Sequence, residues 1–384
     1  MTGDEFFSRL KKHYYSGLPF VAYRLPEKRQ LRAFLQNSNK LHLLQSYAQN
    51  GFVMAPFKDT EKAVIIPQDA SEELFCKMPE TETGNTPLDG LKESGKKINF
   101  ANSDDHQRHL ELVQSGIRSI QNGLMKKVVL SRKEKLQSEA INPFEIFRNL
   151  LELYPSAFVY VFFHPEIGLW SGATPETLIE IRRNRYKTMA LAGTQRYKGT
   201  LQVEWREKEK QEQQYVTDFI MDNLQDALPE SSPERSKVYS SRAGNLIHLR
   251  TDITGILPPG EQSLERIVNC LHPTPAVCGF PREAAKEFIL KQEGYDREFY
   301  TGFLGELNLR QLMKGTRSGR NIENMAYRQI RTETSLFVNL RCTKIKDNDA
   351  FLYLGGGITE DSDPQEEWIE TGHKGQTMKN ALLK

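Results

Sequence analysis

Apolar positions along the chain change period several times, and each change marks an element. Leu110, Val113, Ile117, Ile120 and Leu124 step by 3, 4, 3 and 4, the spacing of one helix face, with Asn122-Gly123 as a C-terminal stop. Lys127-Val128-Val129-Leu130-Ser131 follows as a short apolar strand with a lysine at its start. Residues 157–163 form a near-continuous apolar run and predict a buried strand; Ala190-Leu191-Ala192-Gly193 ends another. Residues 336–342 predict a strand with Leu336, Val338, Leu340 and Cys342 on one face and Phe337, Asn339 and Arg341 on the other. Ala350 to Leu354, running into Gly355-Gly356-Gly357, is its expected hairpin partner. Residues 1–75 alternate short apolar runs with polar turns. Residues 78–105 are poor in large apolar groups and predict a long surface connection; 228–241 and 314–324 read as exposed loops. Strand runs with interspersed helices predict an α+β fold with a large, mostly antiparallel sheet system.

Two helices break their own pattern. In residues 204–225 the apolar stripe runs Trp205, Val216, Phe219, Ile220 and Leu224. Counting back from Val216 by 4 and 3 reaches Glu212 and Glu209, so two carboxylates occupy the inward stripe. Near the C-terminus, Asp363 as cap, Pro364 at the first position and Glu366 placed for a capping box start a helix. There Glu367, Glu370, Lys374, Met378 and Leu382 share one face. A buried carboxylate is costly unless something positive pairs with it. Two such i, i+3 pairs could form an all-oxygen site for a hard cation, Mg²⁺ above all. Acidic helix runs are also commonly solvated faces, and residues 204–214 are charged on every side. Spacing alone leaves both readings open; Glu204, Glu207 and Glu366 fit the solvated one.

Charge and composition narrow the class. In 384 residues, 52 basic and 50 acidic side chains leave a net charge of +2, which gives no reason to expect nucleic acid or an anionic membrane as partner. Cys76, Cys270, Cys278 and Cys342 are far apart, so reduced thiols are expected rather than a zinc site or disulfides. No signal peptide or membrane-spanning run is visible, and a cytoplasmic enzyme is expected.

Six stretches then carry a resemblance. They are Lys127-Val128-Val129-Leu130-Ser131-Arg132, Ser171-Gly172-Ala173-Thr174-Pro175-Glu176, Leu191-Ala192-Gly193-Thr194, the run from His272 to Pro281, Gly355-Gly356-Gly357-Ile358, and Glu367-Trp368-Ile369-Glu370-Thr371. In order and spacing they resemble the chorismate-binding enzymes, a family that includes anthranilate, aminodeoxychorismate, isochorismate and salicylate synthases. The resemblance covers roughly residues 105–384; residues 1–100 correspond to the family's variable N-terminal part. It implies a single domain over residues 1–384, a four-layer α/β/β/α sandwich of two large sheets. It also implies a Mg²⁺ site with Glu212, Glu367 and Glu370 as ligands and Glu209 as an outer member. Chorismate carries two carboxylates. By the resemblance, Mg²⁺ holds one, and Arg341 and Lys374 bind the other, Arg in the planar bidentate manner that suits it. Thr194, His248 and the close-approaching backbone of Gly355 and Gly356 complete the implied substrate site.

The same resemblance gives Lys127 the position of the base and Glu176 that of the acid. Isochorismate formation needs both, because water attacks C2 while the C4 hydroxyl leaves. The lysine pKa must then be pulled down and that of Glu176 raised. Aminodeoxychorismate synthases commonly carry a nucleophilic lysine where this chain has Ala192. Anthranilate synthases usually have glutamine at the position of Lys127 and take ammonia from a glutamine amidotransferase, a subunit not expected here. Salicylate synthases tend to place threonine where this chain has Ala276; Tyr300 sits where a substrate-facing aromatic is expected. The expected activity is therefore that of an isochorismate synthase, an isomerase, acting as a monomer and feeding menaquinone or, second, siderophore biosynthesis. The alternatives are salicylate formation and a non-enzymatic carboxylate-binding protein.

Overall fold

Alternate residues of the 157–163 run bury on opposite sides, and that property organises the molecule. Phe158, Tyr160 and Phe162 join an aromatic cluster with Tyr23, Phe52, Trp170 and Phe337. Val159 and Val161 join a second cluster with Phe6, Phe144 and Phe147. A strand apolar on both faces must lie between two layers. The computed structural model describes residues 1–78, 103–137, 141–243, 246–260, 262–312 and 330–384.

In chain order the first half holds α1 (Gly3–Tyr15), β1 (Phe20–Arg24), β2 (Gln30–Gln36), β3 (Gly51–Ala55), β4 (Val64–Pro67), β5 (Ser71–Lys77), α2 (Ser103–Gln121), β6 (Lys127–Gln137), α3 (Pro143–Leu153), β7 (Phe158–His164), β8 (Gly168–Thr174), β9 (Thr177–Arg182) and β10 (Arg185–Arg196). The second half holds α4 (Glu207–Ala227), β11 (Glu234–Arg235), β12 (Tyr239–Ala243), β13 (Leu246–Ile256), α5 (Ser263–Leu271), β14 (Gly279–Phe280), α6 (Arg282–Gln292), β15 (Phe303–Leu312), β16 (Ile330–Val338), β17 (Cys342–Lys346), β18 (Asp349–Ile358) and α7 (Pro364–Leu383).

These strands build two sheets. The first has the order β14-β6-β18-β17-β8-β7-β1-β2-β5; the second has β11-β13-β10-β9-β16-β15-β3-β4, with β12 also on β13. Their ladders are antiparallel. Helices α1, α3 and α7 cover the outer face of the first sheet, and α4, with α5 against it, covers the second. The aromatic cluster fills the space between the sheets, where Phe158 of β7 stacks on Phe337 of β16 at 4.2 Å. Truncating Phe337 to alanine there costs about 3–5 kcal/mol. The architecture is the α/β/β/α sandwich expected from the sequence. Strands from residues 20–77 are built into both sheets.

Five local expectations change. Residues 336–342 are not one strand: β16 ends at Val338 in the second sheet and β17 starts at Cys342 in the first. Between them the chain crosses from sheet to sheet, with Arg341 at φ 49°, and β17 is the true hairpin partner of β18. Alternation was a poor guide there because both faces of both sheets are buried. The strand carrying Ala190–Gly193 does not end there. It runs on to Arg196 through an irregularity between Ala192 and Gln195, where Gly193 has φ 69°. Helix α2 stops at Gln121, with Gly123 at φ 78°, which leaves Leu124 outside the stripe and exposed. Helix α4 starts at Glu207, so Trp205 precedes it and donates from Nε1 to Ser240 Oγ at 3.0 Å. The 228–241 stretch is mostly exposed but contains β11 and the start of β12. Most of 78–105 and all of 314–324 lie outside the described residues.

Candidate active site

Two crossovers between the sheets lie side by side. The first is Pro175-Glu176, between β8 and β9; the second is Asn339–Arg341. The N–H of Val338 donates to the Glu176 carbonyl at 3.0 Å, and that of Ala173 donates to the Arg341 carbonyl at 3.1 Å. Asn339 anchors the second crossover, accepting from Tyr160 OH at 2.7 Å and donating to the Phe299 carbonyl at 2.9 Å. An acid and a guanidinium distant in sequence are thus fixed by backbone hydrogen bonds beside one cavity of about 130 Å³.

Glu176 is buried, and burial pushes its carboxyl up to about 7 against the opposing pull of Lys127, Arg341 and Lys374. Arg341 donates to the Lys374 carbonyl at 3.1 Å; burial draws its pKa down from the ordinary value. His248 shares its Nδ1 with the Gly193 carbonyl at 2.9 Å and with Thr194 Oγ1 at 3.3 Å. Burial, then Arg341, lowers His248 to about 3, so the ring is neutral at physiological pH. Its buried Nε2 has no protein partner.

The acidic faces of α4 and α7 border the same cavity. Asp363 caps α7 by accepting from the N–H groups of Gln365 and Glu366, each at 2.9 Å. Glu366 itself is exposed, as the solvated reading requires. Each inward carboxylate meets a cation. Glu209 Oε1 accepts from Arg206 Nε at 2.9 Å, and Glu212 Oε1 from Lys127 Nζ at 2.6 Å. Glu367 Oε1 accepts from Ser362 Oγ at 2.7 Å with Lys208 Nζ at 3.5 Å, and Glu370 Oε1 pairs with Lys374 Nζ at 2.6 Å. Burial, then the Glu370 charge, raises Glu367. Burial is also the largest influence on Glu370 and disfavours its charge, but Lys374, Lys208 and Arg341 together outweigh it and the net direction is down.

Among the described residues, no three His, Cys, Asp or Glu side chains are drawn together closely enough to form a preassembled metal site. The donor set nevertheless fits Mg²⁺ in kind. It is all carboxylate oxygen, and the buried Glu209 Oε2 and Glu367 Oε2, one from each helix, have no partner within the protein.

The glycine triplet is strand: Gly355, Gly356 and Gly357 pair with Ser131, Leu130 and Val129. Small size is what the site needs there. A Cβ at Gly355 would stand 2.6 Å from Tyr300 Oη, and one at Gly357 would stand 3.0 Å from Glu212 Oε1. The Gly355 carbonyl accepts from Lys374 Nζ at 3.1 Å.

The cavity wall therefore gathers Glu176, Thr194, His248, Arg341, Gly355, Lys374, Glu209, Glu212, Glu367 and Glu370. Lys127 and Gly356 are not on it. Lys127 is fully buried, one hydrogen bond behind Glu212, whereas its neighbour Lys126 is exposed: strand alternation sends the two lysines opposite ways. The sequence carries no signal for Arg206 and Lys208, which sit in a stretch charged on every side yet reach the wall. A second, larger cavity of about 260 Å³ adjoins it across Pro175, Leu191, His248 and Arg341. The smaller one holds the acids and is the better candidate for chemistry.

Comparison with known proteins identifies the family to which this fold belongs. The family model described as chorismate binding enzyme matches residues 60–327 and 324–383, and the chain belongs to that family. It is 28% identical over 290 residues to the salicylate biosynthesis isochorismate synthase of Pseudomonas aeruginosa, covering 73% of this chain and 56% of that protein. It is 30% identical over 265 residues to isochorismate synthase EntC of Escherichia coli K12, covering 67% and 62%. The chain thus spans less than two thirds of those relatives' own length. A solved structure of a putative 2,3-dihydroxybenzoate-specific isochorismate synthase, DhbC from Bacillus anthracis, superposes with a TM-score of 0.75 at 22% identity. That match covers 98% of this chain and 100% of the other and shares the fold. No helix among the described residues is long and apolar enough to cross a membrane.

Proposed function

We propose that this chain converts chorismate to isochorismate. The observation that carries the proposal is Glu176: a buried carboxyl raised to about 7, on the wall of a cavity that also presents Arg341 and Lys374. A carboxyl with that pKa is substantially protonated at neutral pH and can donate to a leaving hydroxyl. Arg341 and Lys374 are the cations for a substrate carboxylate. The neutral His248 offers an acceptor Nε2 to a ring hydroxyl.

The proton balance closes without a co-reactant. Water forms a bond to C2 and loses a proton to the base. The ring double bonds shift, the C4–O bond breaks, and Glu176 protonates the departing oxygen, which leaves as water. Lys127 is the base in this scheme: it starts as the neutral amine, and because Glu212 stands between it and the cavity, the proton of water reaches it through that carboxylate and leaves it as the ammonium. Mg²⁺ would be held by Glu212, Glu367 and Glu370, with Glu209 beside them, and would neutralise the substrate's other carboxylate. A doubly charged cation and a doubly charged anion leave the charge balance of the cavity unchanged.

Incubation of the purified protein with chorismate and Mg²⁺, with products resolved by chromatography, tests the proposal. Isochorismate is the expected main product; salicylate with pyruvate in its place would make the chain a lyase, and Tyr300 on the cavity wall would be the residue to examine.

A further inference from the structure

Behind the cavity wall lies a buried ion pair that the mechanism does not use. Glu293 closes α6 and Arg297 follows four residues later; their side chains are 1% and 2% exposed. All five N–H donors of Arg297 are spent. Nε donates to Glu293 Oε2 at 2.7 Å, and one Nη2 hydrogen goes to Glu293 Oε1. Nη1 donates to the Val277 carbonyl and to Thr301 Oγ1, each at 3.1 Å, and Nη2 donates to the Val129 carbonyl at 2.7 Å. Glu293 Oε1 also accepts from Ser131 N at 2.7 Å and Ser131 Oγ at 2.9 Å. The guanidinium lies 4.6 Å from the centre of the Phe57 ring.

The three segments joined here share one property. Val129 is two residues from Lys127, Val277 follows Ala276, and Thr301 follows Tyr300. Val129, Ala276, Val277, Tyr300 and Thr301 all line the catalytic cavity, whereas Glu293 and Arg297 do not. A buried ion pair is a weak source of stability, since its desolvation offsets its attraction, so holding the fold together does not by itself explain it. Three of the five Arg297 donors are aimed at the wall, two at backbone carbonyls and one at Thr301 Oγ1.

We propose that Glu293 and Arg297 are positioning residues that hold the Lys127 strand, the Ala276-Val277 turn and the Tyr300-Thr301 corner in register around the substrate ring. Rigid placement of this kind matters because a displacement near 1 Å at reacting groups can lower a rate about 100-fold. The proposal rests on the chorismate reading of the cavity. Arg341 and Lys374, which would anchor the substrate carboxylate, come from other segments and are bonded to neither Glu293 nor Arg297; the clamped segments reach them only through neighbours, Thr301 N–H to the Asn339 carbonyl and Ser131 paired with Gly355. Loss of the clamp should therefore act on kcat more than on KM.

Three variants test this: Arg297→Lys, which keeps the charge without the fork; Glu293→Gln; and the double variant Glu293→Met with Arg297→Met, which removes both charges so that neither is stranded. Each is assayed for chorismate consumption, for its unfolding temperature, and for hydrogen exchange at the Val129 and Ser131 amides. The expected result is a kcat loss of about 100-fold in folded protein, with KM changed by less than about 3-fold. The two amides should exchange at least about 10-fold faster, with α1 amides such as Phe6 unaltered. Wild-type kcat in a folded Arg297→Lys or double variant overturns the proposal, and so does a kcat loss no larger than the loss of folded protein. If wild-type protein consumes no chorismate, the functional reading fails, and the exchange rates alone decide the clamp: unchanged rates at Val129 and Ser131 overturn it.

Discussion

Lys127 Nζ donates to Glu212 Oε1 at 2.6 Å, with the lysine 1% exposed and the glutamate side chain 19% exposed on the cavity wall. The pair joins a group proposed for proton transfer with one proposed for metal binding. Lys127→Ala is expected to lower turnover of chorismate by about 100-fold or more while Mg²⁺-dependent chorismate binding survives in calorimetry. Unchanged turnover would remove Lys127 from the mechanism. Glu212→Ala leaves the buried Lys127 Nζ without its carboxylate partner and is expected to destabilise the fold by about 1–3 kcal/mol, read from denaturant unfolding.

Glu176 gives the pH dependence its sign. Its pKa is raised from an ordinary 4.5 to about 7 by burial, so the folded protein binds the proton more tightly than the unfolded chain does. The stabilisation is fully present below pH 4.5, is lost as pH rises towards 7, and amounts to about 3 kcal/mol. Glu176→Gln should flatten that slope. In the wild type, kcat should fall as pH rises through about 7, whereas the Gln variant should lose most activity at every pH. A wild-type kcat that rises through this range would contradict the acid role.

Gly357 tests the close approach. A methyl group there meets the movable ends of Glu212 and Lys127, Oε1 at 3.0 Å and Cε at 3.1 Å, not backbone. Gly357→Ala should therefore fold normally yet displace the pair and lower kcat by about 10- to 100-fold. Wild-type kinetics in that variant would show that the pair needs no such contact.

Metal and substrate should be linked at Glu370. Because the ion is proposed to bridge protein and substrate, Glu370→Ala should weaken Mg²⁺ binding and chorismate binding together. Calorimetry of each ligand in the presence and absence of the other reads the linkage, and a variant that keeps wild-type Mg²⁺ dependence would strike Glu370 from the ligand set.

Much of this architecture is visible in the amino-acid order. Helical spacing exposed the inward acids of α4 and α7, because a carboxylate in an apolar stripe is a conspicuous conflict. The two-sided burial of β7 is legible as an unbroken apolar run. Lys127 and Glu176 are different. Neither breaks any period, and their expected roles came from the resemblance of whole motifs. The alternation puts Arg341 inside a strand over 336–342, because buried strands on both sides of a crossover look like one strand; only the three-dimensional path shows the change of sheet. Arg206 and Lys208 were hidden by the charge around them. Glu293 and Arg297 have the spacing of any surface helix pair, and only their burial against three distant segments reveals them.

The sharpest test of water as the nucleophile is turnover of chorismate in ¹⁸O-enriched water, with the product's oxygen content read by mass spectrometry. Isochorismate carrying one heavy oxygen, in the hydroxyl at C2, is the expected result. Isochorismate with no heavy oxygen at C2 would contradict it.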